Sequence, residues 1–212
     1  MNENNYVRIA GYVDKFIYNH TAYDERFYSS FVHSQRRSGT VDDIPVIASE
    51  CLVKKDDFDG KYVEIDGEFR SMNMDVEGKS KLILQIFAKN IRTTQEKADD
   101  ENKIVLNGFV VKKPVYRITP SGREITNMLI AVNRPRWRSD YIPSICWGTI
   151  ARYAGTLPVG THVRITGRIQ SREYQKQISE EEYETRTAYE VSISQMEVIE
   201  SEECKDQVAD VE

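Results

Sequence analysis

Cysteine, tryptophan and histidine are scarce in this sequence: three Cys, two Trp and three His among 212 residues. Cys51, Cys146 and Cys204 are far apart and odd in number, which excludes both a disulfide framework and a zinc spacing and leaves reduced thiols. His20, His33 and His162 are scattered, none at metal-ligand spacing from a Cys or another His. No run of about 18 apolar residues exists to cross a membrane. The start, Met1 to Arg8, is polar and lacks an apolar signal core, so a cytoplasmic protein is expected. Long helical periodicity is also missing.

Motifs that suggest catalysis fail on their own requirements. Gly78-Lys79-Ser80 ends like a phosphate-binding loop, but that loop needs Gly five residues earlier, where Asn73 stands. A hairpin turn between two strands is the better reading. Glu180, Glu181 and Glu182 read as a solvated loop, and Asn19-His20-Thr21 is a glycosylation pattern without meaning in a cytosolic chain. No nucleophile–base pair or metal–carboxylate cluster emerges, so no enzyme, no metal and no cofactor are expected.

The net charge of −5 argues at first against a nucleic-acid partner, but its distribution reverses that impression. Between Lys103 and Ile169 eleven bases face two acids, Glu124 and Asp140. Residues 1–101 carry fourteen bases against nineteen acids. The last twelve residues hold five acids and one base. A basic segment therefore lies between acidic flanks.

The polar stretch 93–101 reads as a linker between an N-terminal unit, 1–92, and a C-terminal unit, 102–200, with residues 201–212 as an acidic, disordered tail. In the second unit, Ile104 to Val111 is a strand in which Gly108 marks a bulge or close approach. A turn at Thr119-Pro-Ser-Gly122 follows, then strands over Ile125 to Val132 and Tyr141 to Trp147. A short helix falls within Thr149 to Leu157, then strands over His162 to Ser171 and Ala188 to Val198, with Gly167 inside the first. Five strands with a helix between the third and fourth is the plan of an OB-fold barrel. The first unit repeats it. Val7 to Gly11 parallels Ile104 to Gly108, Asp42-Asp-Ile-Pro45 parallels Asp140-Tyr-Ile-Pro143, and Gly67 to Ser71 parallels Gly167 to Ser171. Three matches in one order, at nearly one offset, predict two tandem OB-fold barrels in an all-β chain.

Binding a single strand without reading its sequence needs a basic groove for phosphates and aromatic faces for bases. Trp137 is interleaved with Arg134, Arg136 and Arg138 in the loop from Asn133 to Arg138. Tyr141 opens the third strand and Trp147 closes it, on one face by the period of two. Tyr174 stands at the end of the fourth strand beside Arg172 and Lys176. Lys112, Lys113 and Arg152 add to the basic character of the barrel. Each aromatic also has a structural reading: Trp147 as core, Tyr141 as part of a dimer interface. Trp137 has the weakest such reading, because a loop among three arginines is hard to bury.

Four segments carry a resemblance: Asn102 to Gly108, Pro114 to Gly122, Asn127 to Asn133 and Gly167 to Tyr174. Together they closely resemble the bacterial single-stranded DNA-binding protein family over nearly the whole second unit. The resemblance implies base stacking at Trp137, Tyr141, Trp147 and Tyr174, and a phosphate contact at Arg117. It also implies assembly of four barrels, hence a homodimer for a chain with two. Replication or repair proteins are expected as further partners. A related branch of the family, the primosomal replication protein, offers an alternative, an accessory role in which the barrels bridge proteins. The first unit resembles the family in strand pattern only. Arg37, Asp43, Ser49 and Met74 stand at its four stacking positions, which leaves a scaffold barrel or weak binding through Arg36, Arg37 and Arg70. The family's acidic tip usually ends in Pro-Phe; here the last residues are Asp210-Val-Glu212.

Overall fold

Strand-forming segments dominate the computed structural model, which describes residues 4–76, 78–95, 101–179 and 182–199. The tail 201–212 with Cys204, residues 96–100 of the expected linker, and Glu180 and Glu181 lie outside the described residues. The first barrel comprises β1 (Asn5–Val13), β2 (Ile17–Ala22), β3 (Glu25–Gln35), β4 (Val41–Ser49), α1 (Glu50–Val53), β5 (Tyr62–Val76) and β6 (Lys79–Thr93). The second comprises β7 (Asn102–Val110), β8 (Val115–Ile118), β9 (Glu124–Arg134), β10 (Arg138–Trp147), α2 (Gly148–Ala154), β11 (His162–Gln177) and β12 (Tyr183–Val198). The turn at Thr119 to Gly122 forms as expected, Gly122 N–H donating to Thr119 O at 2.8 Å, and it adds the short strand β8 to the five-strand plan.

Alternation drives each strand into place. In β7, Ile104, Leu106 and Val110 are buried, while Lys103 and Phe109 beside them face outward. The parallel pairings β4–β6 and β10–β12, with the antiparallel contacts β1–β3 and β7–β9, close the two barrels. Gly108 is a close approach: a Cβ there would meet Ala131 O at 2.3 Å, and Gly11 repeats this against His33 O at 2.1 Å. A β-bulge falls before Gly167 and before Gly67. Burial pushes the Cys146 thiol up to about 12, which leaves it an inert core group.

The strand order β2-β3-β4-β6-β5-β1-β7-β11-β12-β10-β9-β8 reads as a palindrome about the β1–β7 pair. That pair is antiparallel, from Asn5 opposite Leu106 to Ile9 opposite Asn102, so one continuous sheet joins the barrels about a local twofold. Beside it, one asparagine extends the ladder within each barrel. The Asn5 side chain donates to Phe69 O at 2.8 Å and accepts from Phe69 N–H at 2.9 Å; Asn102 does the same with Ile169 at 2.8 and 2.9 Å.

Two fully buried carboxylates then dock each barrel on the other. Asp140 accepts from Ser71 N–H at 2.7 Å, and Asp42 accepts from Ser171 N–H at 2.8 Å. Asp42 is charge-balanced by Arg36 of its own barrel and by Arg168 of the other, each at 2.5 Å. Asp140 has Arg134 at 3.0 Å. Burial raises the Asp140 carboxyl above the ordinary range against the Ser71 hydrogen bond and the nearby arginines. A buried carboxylate that balances two arginines is costly to delete, because the arginines are left uncompensated. Asp42→Ala is therefore expected to lose about 3–5 kcal/mol in urea denaturation. A loss under about 1 kcal/mol would show that the β1–β7 ladder alone sets the stability of the pair.

Candidate functional site

Strand β9 turns into β10 through only three residues, Pro135, Arg136 and Trp137, because Arg134 and Arg138 are paired across the hairpin. So short a reversal demands a left-handed backbone, and Arg136 and Trp137 adopt it at φ 65° and 58°. A bulky side chain pays a steric penalty there. Trp137 gains no packing in return, since its relative exposure is 105%. Arg136 and Arg138 flank it, also exposed, around a shallow cavity of about 400 Å³. The turn therefore displays an indole between two cations.

Tyr141 lies three residues past Arg138 along β10 and is 46% exposed. Its backbone is held by the other barrel: Tyr141 N–H donates to Ser71 Oγ at 2.8 Å, beside the Asp140–Ser71 contact. Trp147 ends β10 about 20 Å further on, by the rise of a strand. It is part-exposed rather than core, and its Nε1–H donates to Ser192 Oγ at 3.1 Å, which fixes the ring on the outer surface. Tyr174 is not at a strand end. Strand β11 runs on to Gln177, so the Tyr174 ring stands along a projecting β11–β12 arm, with the Arg172 guanidinium 5.8 Å from its centroid. The arm escaped the sequence pattern because both its faces meet solvent, so no apolar alternation marks it.

The expected cations divide into three groups. Lys112, Lys113 and Arg117 are exposed on or beside β8. Arg152, on α2, faces Glu124 at 3.1 Å, and Arg172 has Glu190 at 3.9 Å, both at exposed sites where such pairs contribute little. Arg134 departs from the expectation that it lines a groove: it is half-buried and turned to Asp140, so its charge serves the barrel junction.

In the first barrel several cations are engaged by carboxylates. Arg36 holds Asp42, and Arg8 and Arg92 hold Glu64 and Asp66. Arg70 and Lys89 clamp Glu68. Burial alone would raise the Glu68 carboxyl, but these two cations outweigh it and hold the group below the usual carboxylate range. Arg70 also lies 3.7 Å over the Phe87 ring. Of the three arginines expected to support weak binding there, Arg36 and Arg70 thus have internal work, and Arg37 is exposed. Asp43, at the position of Tyr141, accepts from His33 at 2.7 Å, while the other ring nitrogen of His33 meets Asp14 at 3.1 Å. Ser49 precedes α1, and Met74 is exposed on β5. Sequence reasoning passed over Phe31, an exposed ring on β3; the signal was its place opposite Pro45, as Leu129 stands opposite Pro143.

Comparison with known proteins follows this geometry. The single-strand binding protein family model matches residues 101–199. The single-stranded DNA-binding protein of Oceanobacillus iheyensis is 34% identical over 91 residues, covering 40% of this chain and 56% of that protein. That of Clostridium tetani is 33% identical over 91 residues, covering 40% and 63%. The chain thus spans roughly half to under two thirds of the curated relatives it matches. A crystal structure of a deletion mutant of the Thermus aquaticus single-stranded DNA binding protein superposes on 93% of this chain and 95% of that one, with a TM-score of 0.72 at 18% identity. That likeness establishes the tandem OB fold.

Two outcomes are expected. Trp137→Ala, which removes no buried contact, should leave thermal stability within about 0.5 kcal/mol of the parent; a larger loss would reveal a packing role. His33 is pulled down by burial but raised further by its hydrogen bonds to Asp43 and Asp14, with a net upward shift. A raised value means that its stabilising contribution is complete below about pH 6.5 and fades as pH rises through the folded value. The stability difference between parent and His33→Ala should therefore shrink between about pH 6 and about pH 9. A difference that grows over that range would contradict the bridge.

Proposed function

We propose, from the match of the single-strand binding protein family model to the second barrel, that the protein binds single-stranded DNA without reading its sequence. Its setting would be replication, recombination or repair, as a cytoplasmic, nucleoid-associated protein divided at the 93–101 linker into the units 1–92 and 102–200. The observation that carries this reading is the turn that holds Trp137 fully exposed between Arg136 and Arg138. No folding benefit accounts for that placement, and an indole between cations offers a base its π-face and a phosphate its counter-charge. Tyr141, Trp147 and Tyr174 would continue the stacking surface. Arg117, Lys112, Lys113, Arg138, Arg152 and Arg172 would follow the backbone, with Arg134 supporting the turn from beneath.

The reading is of a binding protein and not an enzyme; the matched family and the relatives carry a binding name. The accessory, protein-bridging alternative is less supported by those matches. Among the described residues, no three His, Cys, Asp or Glu side chains gather into a group able to hold a metal, and no helix there is long and apolar enough to cross a membrane. We further propose that two chains pair to bring four barrels together.

Titration with oligo-dT should quench the fluorescence of Trp137 and Trp147, and Trp137→Ala should weaken binding by about 1–3 kcal/mol. The log–log salt dependence should slope by about −0.7 per phosphate neutralised. Absence of quenching at low salt would refute the proposal. Light scattering with and without oligo-dT should give the mass of two chains; a one-chain mass in both states would remove the four-barrel assembly.

A further inference from the structure

Phe31 projects from the outer side of β3, between the inward-facing, buried Ser30 and Val32, and remains 41% exposed. The outer face of this second strand of the OB plan is where such barrels take extended ligands. At the matching place in the second barrel stands Leu129, paired to Pro143 as Phe31 is paired to Pro45. The first barrel has thus lost the aromatics of its third strand, at Asp43 and Ser49, but has gained one on the neighbouring strand of the same face.

Phe31 also lies at the junction of the barrels. One cavity of about 690 Å³ is lined by Phe31, Pro45 and Lys81 from the first barrel and by Pro143, Tyr174 and Tyr189 from the second. Its size suits a small ligand such as a nucleotide unit. The same cavity is bordered by Arg186, which is paired to Glu184 at 2.6 Å. A second cavity of about 580 Å³ shares Phe31 and Tyr189 but is lined by Asp14, His33, Asp43 and Glu173. A phosphodiester would be repelled by that carboxylate-rich side and favoured on the Lys81 side. The ring of Phe31 is accessible from both.

We propose that Phe31 is a base-stacking site that carries a single strand from Tyr174 of the second barrel onto the first. The inference rests on the single-stranded DNA reading above. Its occupant is a base of the same strand that stacks on Tyr174, because the two rings open into one cavity and Lys81 supplies a cation on that side.

The test compares two oligo-dT lengths by fluorescence anisotropy at fixed salt. One, of about 8 nucleotides, fits a single barrel; the other, of about 30, reaches across two. Phe31→Ala should weaken the long oligonucleotide by about 5- to 150-fold and leave the short one unchanged. Phe31→Leu installs the residue of the matching position, keeps apolar packing and removes the ring. It should show the same length-selective loss, while Phe31→Trp should restore binding. A long oligonucleotide bound equally by parent and Phe31→Leu overturns the inference and leaves the function of the second barrel standing. Parent protein that binds neither length overturns both. Loss of the two-chain mass in Phe31→Ala without DNA would assign the ring to an interface between copies, and would also overturn the inference. Cross-linking of 5-iodouracil in the long oligonucleotide to the peptide containing Phe31 is the positive result expected from direct stacking.

Discussion

The antiparallel β1–β7 ladder, locked by the reciprocal docking of Asp42 and Asp140, is the constraint on which the remaining geometry depends. Edge strands left unpaired invite uncontrolled association. Here β1 and β7 consume each other's edges, and the Asn5 and Asn102 side chains satisfy the backbone groups of Phe69 and Ile169 just past the ends of the β1–β5 and β7–β11 ladders. The docking reaches the site itself. Ser71 of the first barrel accepts the Tyr141 N–H while giving its own N–H to Asp140. The first barrel, with Arg37, Asp43, Ser49 and Met74 at the matching positions, therefore still helps to hold the backbone of Tyr141 in the second.

Charge separates the two barrels more sharply than their net values indicate. In the first, buried or half-buried carboxylates at Asp42, Glu64, Asp66 and Glu68 hold six cations in internal pairs. Five of those cations are its own and one, Arg168, is borrowed. In the second, Lys112, Lys113, Arg117, Arg136 and Arg138 stand in solvent. Equal folds thus carry unequal surfaces, with cations held in internal pairs in the first barrel and cations exposed to solvent in the second.

Much of this was legible in the sequence. The repeat of Val7 to Gly11 at Ile104 to Gly108, and of Gly67 to Ser71 at Gly167 to Ser171, marks the glycines that let strands cross closely and the serines that dock. The tandem OB architecture followed from those matches. Trp137 was legible because three arginines around an indole leave no room for a buried reading. What escaped was set by partners distant in sequence. Arg134 looks like its neighbours Arg136 and Arg138 until Asp140 is seen beneath it. The arm beyond Ser171 carries no apolar alternation, and Phe31 acquires meaning only when Tyr174, 143 positions later, opens into the same cavity.

The twofold is broken at one informative place. Glu68 and Arg168 occupy matching positions, one residue after Gly67 and Gly167, yet carry opposite charge. Asp42 receives Arg168 from across the junction, whereas Asp140 has Glu68 in its surroundings. Two first barrels joined in the same way would set a glutamate beside each buried aspartate. The native arrangement replaces one of those repulsions with an attraction. Because both copies lie in one polypeptide, neither has to be its own mirror partner, and the two sides of the junction carry different electrostatics: an attraction at Asp42, a like charge near Asp140.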